Sequence, residues 1–229
     1  MTARVALATA SAVGDLDEDM APLLAALGDR GVEGHVVVWD DPAVGWGSFD
    51  LVVVRSTWDY AWRRDEFLAW AEGVAAVVTL SNPAPVLRWN TDKHYLRDLE
   101  AAGVAVVPTC FVEPGAEAAL PPTGEYVVKP VVSAGAKDTV RYGEGPAEVE
   151  RARALLGRLA DSGRSAMVQP YLHAVDEAGE TALIFLGGAY SHAIRKGPIL
   201  APGAGPVSGL YAEEHIEART PSGAERSSA

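Results

Sequence analysis

A lysine set inside an apolar run is the first residue in this chain that asks for chemistry. In Tyr126-Val127-Val128-Lys129-Pro130-Val131-Val132, the ammonium of Lys129 is costly to bury unless an anion meets it. Ser133, Ala134, Gly135 and Ala136 follow at once, ahead of Lys137, Asp138 and Thr139. Such small residues let backbone N–H groups approach phosphate oxygens. The competing reading of this segment is an edge-strand lysine that reaches water beside an ordinary hairpin turn.

Three further stretches carry groups of the right kind. Asn90-Thr91-Asp92-Lys93 places a lysine at a helix start, a weak signal alone because such lysines are usually solvated. Val168-Gln169-Pro170-Tyr171-Leu172 is a strand running into a linker, whose backbone can offer N–H and C=O groups to a purine edge. Gly179-Glu180 follows, with a carboxylate suited to ribose hydroxyls. Arg55 ends the aliphatic run Leu51 to Arg55, where open α/β sheets place ligands. Its guanidinium could clamp a carboxylate bidentately, with Trp58 and Tyr60 as walls; the alternative is that Arg55 pairs with Asp59.

Alternating elements must hold these groups. Arg4–Thr9, His35–Trp39, Leu51–Arg55 and Ala75–Leu80 are strand candidates, with helices over Asp15–Arg30 and Arg64–Glu72. That order predicts a doubly wound, Rossmann-like α/β unit over residues 1–83, closed by the breaker Asn82-Pro83-Ala84-Pro85. A helix from Thr91 to Ala102 and a strand at Val104–Val107 open an 84–165 subdomain. An antiparallel pair (Tyr126–Val132 and Thr139–Tyr142) and a helix over Ala147–Leu159 complete it. Residues 166–229 hold strands at Met167–Leu172, Thr181–Leu186 and Ala189–Ile194, the last two joined by Gly187-Gly188. The fold class expected is α/β in front and α+β behind.

Composition narrows the function classes. With 19 basic against 31 acidic residues, the net charge of −12 argues against nucleic-acid binding, which needs a positive surface. No segment is long and apolar enough for a bilayer, so a cytoplasmic protein without membrane contact is expected. Cys110, the single cysteine, lies in the apolar stretch Val106–Val112 and reads as a core thiol. The acidic run Asp15–Asp19 fails as a calcium loop, because Met20 stands where glycine is needed. The five histidines show no paired metal spacing, and no metal ligand is assigned. Pro202–Gly209 is too proline-rich for a dinucleotide fingerprint and reads as a mobile loop near the active site. No glycine fingerprint follows Thr9, which disfavours an NAD-binding front domain.

Taken in order, these segments resemble the ATP-grasp fold, closest to its glutathione-synthetase-like branch. They are a helix lysine before Gly103-Val104, the strand lysine-proline with its Ser-Ala-Gly loop, Gln169-Pro170-Tyr171-Leu172, Gly179-Glu180, and a Gly-turn hairpin ending Ile194-Arg195-Lys196. Arg55–Tyr60 and Ser133–Thr139 resemble the bacterial subgroup that contains the O-ureido-serine cyclo-ligase of cycloserine formation. The resemblance implies ATP and magnesium as cofactors, small-molecule carboxylate and amine substrates, and carboxylate–amine ligation through an acyl-phosphate. It gives Lys93 and Lys129 to the phosphates, and Ser133, Ala134 and Gly135 to the loop that closes over them. Gln169, Tyr171 and Leu172 go to adenine, the last two mainly through backbone groups, and Glu180 goes to ribose. Arg195 and Lys196 go to the phosphate or acyl-phosphate, and Arg55, Trp58 and Asp59 to the acceptor. Self-association stays open.

The family holds magnesium with carboxylates on strands beyond the glycine-rich loop. Here the only carboxylate side chains after Lys196 are Glu213, Glu214, Glu217 and Glu225, and the first three read as a helix turn or loop. Residues 222–229 have no apolar side chain larger than alanine and are expected to fray. The expectation is therefore an ATP-grasp domain incomplete at its C-terminus, impaired in turnover. The alternatives are a non-catalytic nucleotide-binding or regulatory remnant, or a site that Glu213, Glu214 or Glu217 or a partner chain completes.

Overall fold

A computed structural model describes residues 2–206, 212 and 214–227. The chain divides into two units, Met1–Asp92 and Lys93–Ala229.

The first unit holds β1 (Ala3–Thr9), α1 (Met20–Gly28), β2 (Val32–Val38), β3 (Leu51–Ser56), α2 (Arg64–Ala75), β4 (Leu80–Ser81) and α3 (Ala84–Asn90). Its parallel sheet runs β2-β1-β3-β4. β1 is buried from Val5 to Thr9, as a central strand covered on both faces should be. Alanine at positions 6, 8 and 10 leaves room for Trp39, Phe67 and Leu68 in the core. Gly34 is required where α1 lies on β2, since a Cβ there would fall 2.7 Å from Leu24 Cδ2.

The second unit begins with α4 (Tyr95–Ala101), β5 (Cys110–Val112), β6 (Tyr126–Pro130), β7 (Val140–Tyr142), α5 (Pro146–Asp161) and β8 (Ala166–Pro170). These strands form an antiparallel sheet in the order β5-β8-β6-β7. α5 buries Ala152, Leu155, Leu156 and Leu159, the one-face spacing of an amphipathic helix, against it. Then come α6 (Ala174–Ala178), β9 (Glu180–Leu186), β10 (Ala189–Lys196), β11 (Ile216–Arg219) and α7 (Gly223–Ser227). The last three strands make an antiparallel sheet, β11-β10-β9. Among the described residues no helix is long and apolar enough to cross a membrane.

Several local expectations are corrected. Val104–Val107 is not a strand; β-branched residues need a neighbouring strand, and β5 occupies that place beside β8. Ala75 closes α2, and only Leu80–Ser81 pairs with β3. The helix expected over Thr91–Ala102 is interrupted. α3 ends at Asn90 and packs its Ala84 and Leu87 into the first unit's core, and α4 starts at Tyr95. Pro83 and Pro85 do not break α3, because the first-turn N–H groups of a helix are unpaired anyway. Cys110 is exposed, not in the core, because it starts a short edge strand. Glu217 stands on β11 opposite Arg195, not in a helix turn or loop. Residues 223–227 are helical, not frayed, with the Glu225 carboxylate accepting from Ser222 N–H at 2.6 Å and from Arg219 at 3.1 Å. Glu213, Ser228, Ala229 and the 207–209 part of the Pro202–Gly209 loop lie outside the described residues.

Candidate nucleotide site

Within the second unit a cavity of ≈ 330 Å³ gathers most of the expected residues. Lys93, Lys129, Ser133, Ala134, Gly135, Gln169, Tyr171, Leu172, Glu180 and Lys196 all line it. Period-two alternation places them. Val127 and Lys129 face the cavity from β6, while Tyr126, Val128 and Pro130 are buried on the other side of that strand. The Lys129 ammonium is pushed below the ordinary lysine range by burial, and Glu180 opposes that shift. A lowered lysine pKa inside a cavity marks a cation that an anionic ligand would stabilise.

Lys93 reaches the same cavity from the start of the unit. Its backbone N–H donates to Val131 O at 3.1 Å. Its Nζ donates to Ser133 O at 2.9 Å and Ser133 Oγ at 3.1 Å. The loop that follows is built of left-handed residues, with φ of 59° at Gly135, 58° at Ala136 and 52° at Asp138. The N–H groups of Ala134, Gly135 and Ala136 meet no acceptor among the described residues. Consecutive unpaired amides of this kind suit phosphate oxygens.

The opposite wall comes from β8 and the linker after it. Gln169 is buried, and its Nε2 donates to Thr109 Oγ1 at 2.8 Å. Tyr171 N–H donates to Glu125 O at 2.9 Å. The Tyr171 ring lies 3.6 Å beneath the Arg141 guanidinium, and its hydroxyl donates to Asp176. Burial, with Asp176 second, pushes the phenol up to about 12, so it stays a donor. Arg141, only 5% exposed, also binds Glu125 at 2.6 Å and Asp176 at 3.0 Å. Sequence reasoning missed this network; an arginine in a strand of otherwise buried residues was the available signal. Val107, Ile199 and Leu200 add an apolar wall that was also missed.

Glu180 and Lys196 are direct partners across β9 and β10. Lys196 Nζ is 2.7 Å from Glu214 Oε2, and Glu214 lines the cavity too. Arg195 does not line it. Successive strand residues point to opposite faces, so Arg195 and Lys196 cannot both face one ligand. Arg195 instead donates to Ala178 O at 2.7 Å and binds Glu217 at 3.1 Å. Among the described residues no group of three or more His, Cys, Asp or Glu side chains could hold a metal ion. The described residues therefore do not make up a magnesium site, although the fold family uses the ion.

In the first unit, Arg55 Nη2 donates to Asp17 Oδ1 at 2.8 Å and Asp19 Oδ2 at 3.0 Å, not to Asp59. Its Nε and Nη1 have no partner among the described residues. Asp59 turns away, accepting from Trp39 Nε1 at 2.9 Å and pairing with Arg63. Trp58 and Tyr60 pack on the core of that unit.

Comparison with known proteins gives a consistent set. Residues 5–82 match the family model for the N-terminal domain of the D-cycloserine synthetase DcsG. The cycloserine biosynthesis protein DcsG of Streptomyces lavendulae is 43% identical over 207 residues, covering 86% of this chain and 69% of that protein. The crystal structure of D-cycloserine synthetase DcsG superposes with a TM-score of 0.88 at 39% identity, over 98% of this chain and 77% of that one. D-alanine–D-alanine ligase of Bacillus anthracis, solved with ATP, shares the fold at 13% identity, with a TM-score of 0.66 over 99% of this chain and 74% of that one.

Proposed function

This chain belongs to the ATP-grasp superfamily, in the family of the D-cycloserine synthetase DcsG, and we propose that it is an ATP-dependent ligase that joins a carboxylate to an amine. Within that class we assign it an intramolecular reaction that closes a ring, as the name of its relative says of that protein. The observation that carries the reading is the meeting of Lys93, Lys129 and Lys196 with the unpaired amides of residues 134–136 in one cavity.

A carboxylate resists nucleophiles because of its charge. Phosphorylation by ATP turns it into an acyl-phosphate, which an amine attacks with loss of phosphate. The protein's part is mainly to position reactants and neutralise charge. Lys93, Lys129 and the 134–136 amides take the phosphate oxygens, and Lys196 faces the transferred group. Val107, Val127 and Leu172 take the faces of the base, and Glu180 takes the ribose. Arg55 offers Nε and Nη1 to a carboxylate of the acceptor. Magnesium, when bound, would supply charge neutralisation at the phosphates; no step is routed through it here. We place the protein in the cytoplasm.

Incubation with ATP and O-ureido-serine, followed by ADP release and the mass of the ring-closed product, tests this reading. Product formation that needs both substrates, together with ATP binding by calorimetry, is the expected result. ATP binding without ADP release under any offered carboxylate–amine pair would leave the other reading, a nucleotide-binding module without turnover. No ATP binding at all would remove the site assignment.

A further inference from the structure

The Ser133–Asp138 loop is held at both ends. At its start Lys93 Nζ donates to Ser133. At its end Arg164 Nη1 donates to Asp138 Oδ2 at 2.6 Å, and both side chains are less than a third exposed. Arg164 stands on the rigid part of the unit. Its own N–H donates to Leu159 O as the chain leaves α5, and the neighbouring Ser165 O accepts from Val131 N–H. α5 is packed on the sheet through Leu155 and Leu159.

The loop's internal bonds, Lys137 N–H to Ala134 O and Thr139 N–H to Ala136 O, are local and do not tie it to the scaffold. Ala136 and Asp138 nevertheless hold left-handed φ values of 58° and 52°. Non-glycine residues keep such values only when their surroundings enforce them. The Arg164–Asp138 pair is the charge-assisted contact placed to do so.

We propose that Arg164 is a positioning residue that latches the nucleotide-binding loop through Asp138, presetting the 134–136 amides for phosphate. Arg164 touches no substrate; it acts through the loop. The proposal rests on the reading of the cavity as a nucleotide site only in naming what the loop receives.

The test uses the full chain with Asp138→Asn, Arg164→Ala, Arg164→Lys and the double variant Asp138→Asn/Arg164→Ala. Asparagine tolerates left-handed φ, so Asp138→Asn removes the charge without adding backbone strain. Trypsin cleavage after Lys137 in the absence of nucleotide should rise about fivefold or more in Asp138→Asn and Arg164→Ala, as local opening becomes easier. KM for ATP should rise about tenfold in both while KM for the acceptor stays within about twofold. The double variant should be no worse than either single one, because both remove the same contact. Arg164→Lys should recover most of the loss. Cleavage and ATP KM within twofold of the parent in Asp138→Asn, or additive effects in the double variant, would overturn the proposal. If Arg164→Ala fails to fold, Asp138→Asn decides. A parent that binds no ATP would sink the functional reading, while the cleavage arm would still decide the latch.

Discussion

Lys129 and Glu180 face the same cavity with opposite effects on one proton: burial lowers the Lys129 pKa, and the Glu180 carboxylate raises it part of the way back. Between the lowered pKa and the ordinary lysine range, the unfolded chain binds more protons than the folded one. Stability therefore rises with pH across that window. An anion beside Lys129 raises its pKa, so ATP binding takes up a proton there. ATP affinity should fall as pH is raised through the pKa of the free site. Lys129→Met should flatten this pH dependence and weaken ATP by about tenfold to a hundredfold, the loss of one charge-assisted bond. Its melting temperature should not fall, since an apolar side chain replaces a desolvated cation. Calorimetry across pH and thermal unfolding read both effects; an unchanged ATP affinity in Lys129→Met would remove Lys129 from the site.

Arg55 uses one nitrogen, Nη2, for both Asp17 and Asp19, which leaves Nε and Nη1 for a ligand. Lysine cannot reproduce that fork. Steady-state kinetics should show Arg55→Lys raising KM for the acceptor about tenfold, the worth of a charged hydrogen bond, with KM for ATP unchanged. Equal damage to both constants would mean that Arg55 only braces its own unit.

Gly179 enters β9 with φ of 71°, and a Cβ there would lie 2.5 Å from the Lys196 carbonyl oxygen and 2.9 Å from Arg195 Nε. Backbone cannot yield as a flexible side chain can. Gly179→Ala should destabilise by about 2 kcal/mol or more, through steric overlap and a left-handed φ. It should also lower turnover by shifting Glu180 against Lys196. Urea unfolding checks the first effect; a midpoint within error of the parent would contradict the close approach.

Arg141 lies between Glu125, Asp176 and the face of Tyr171. Arg141→Met keeps much of the volume but leaves two carboxylates facing each other without their cation. A loss of about 2 kcal/mol is expected, at the lower end for a buried partner because the carboxylates retain some water. Tyr171→Phe removes only the hydroxyl to Asp176 and should cost about 1 kcal/mol. Denaturant midpoints rank the two. A Tyr171→Phe loss as large as that of Arg141→Met would move the weight of the network from the guanidinium to the phenol.

The sequence by itself determined the parts whose signals lie between near neighbours. The alternation of strands and helices in residues 1–83, the amphipathic face of α5, the Gly187-Gly188 turn and the small-residue run after Lys129 are all local. Their order was enough to point to the ATP-grasp resemblance. Arg195 and Lys196 were legible only in part, because strand alternation sends them to opposite faces and the side is chosen by the sheet. Cys110 misled because apolar neighbours do not show that a strand sits at an edge. Tertiary structure alone decided the pairings of distant residues: Gln169 with Thr109, 60 positions apart, Arg141 with Asp176, 35 apart, and Arg164 with Asp138, 26 apart. Such contacts depend on sheet register and on where a helix delivers the chain, and those follow from the packing of the whole unit.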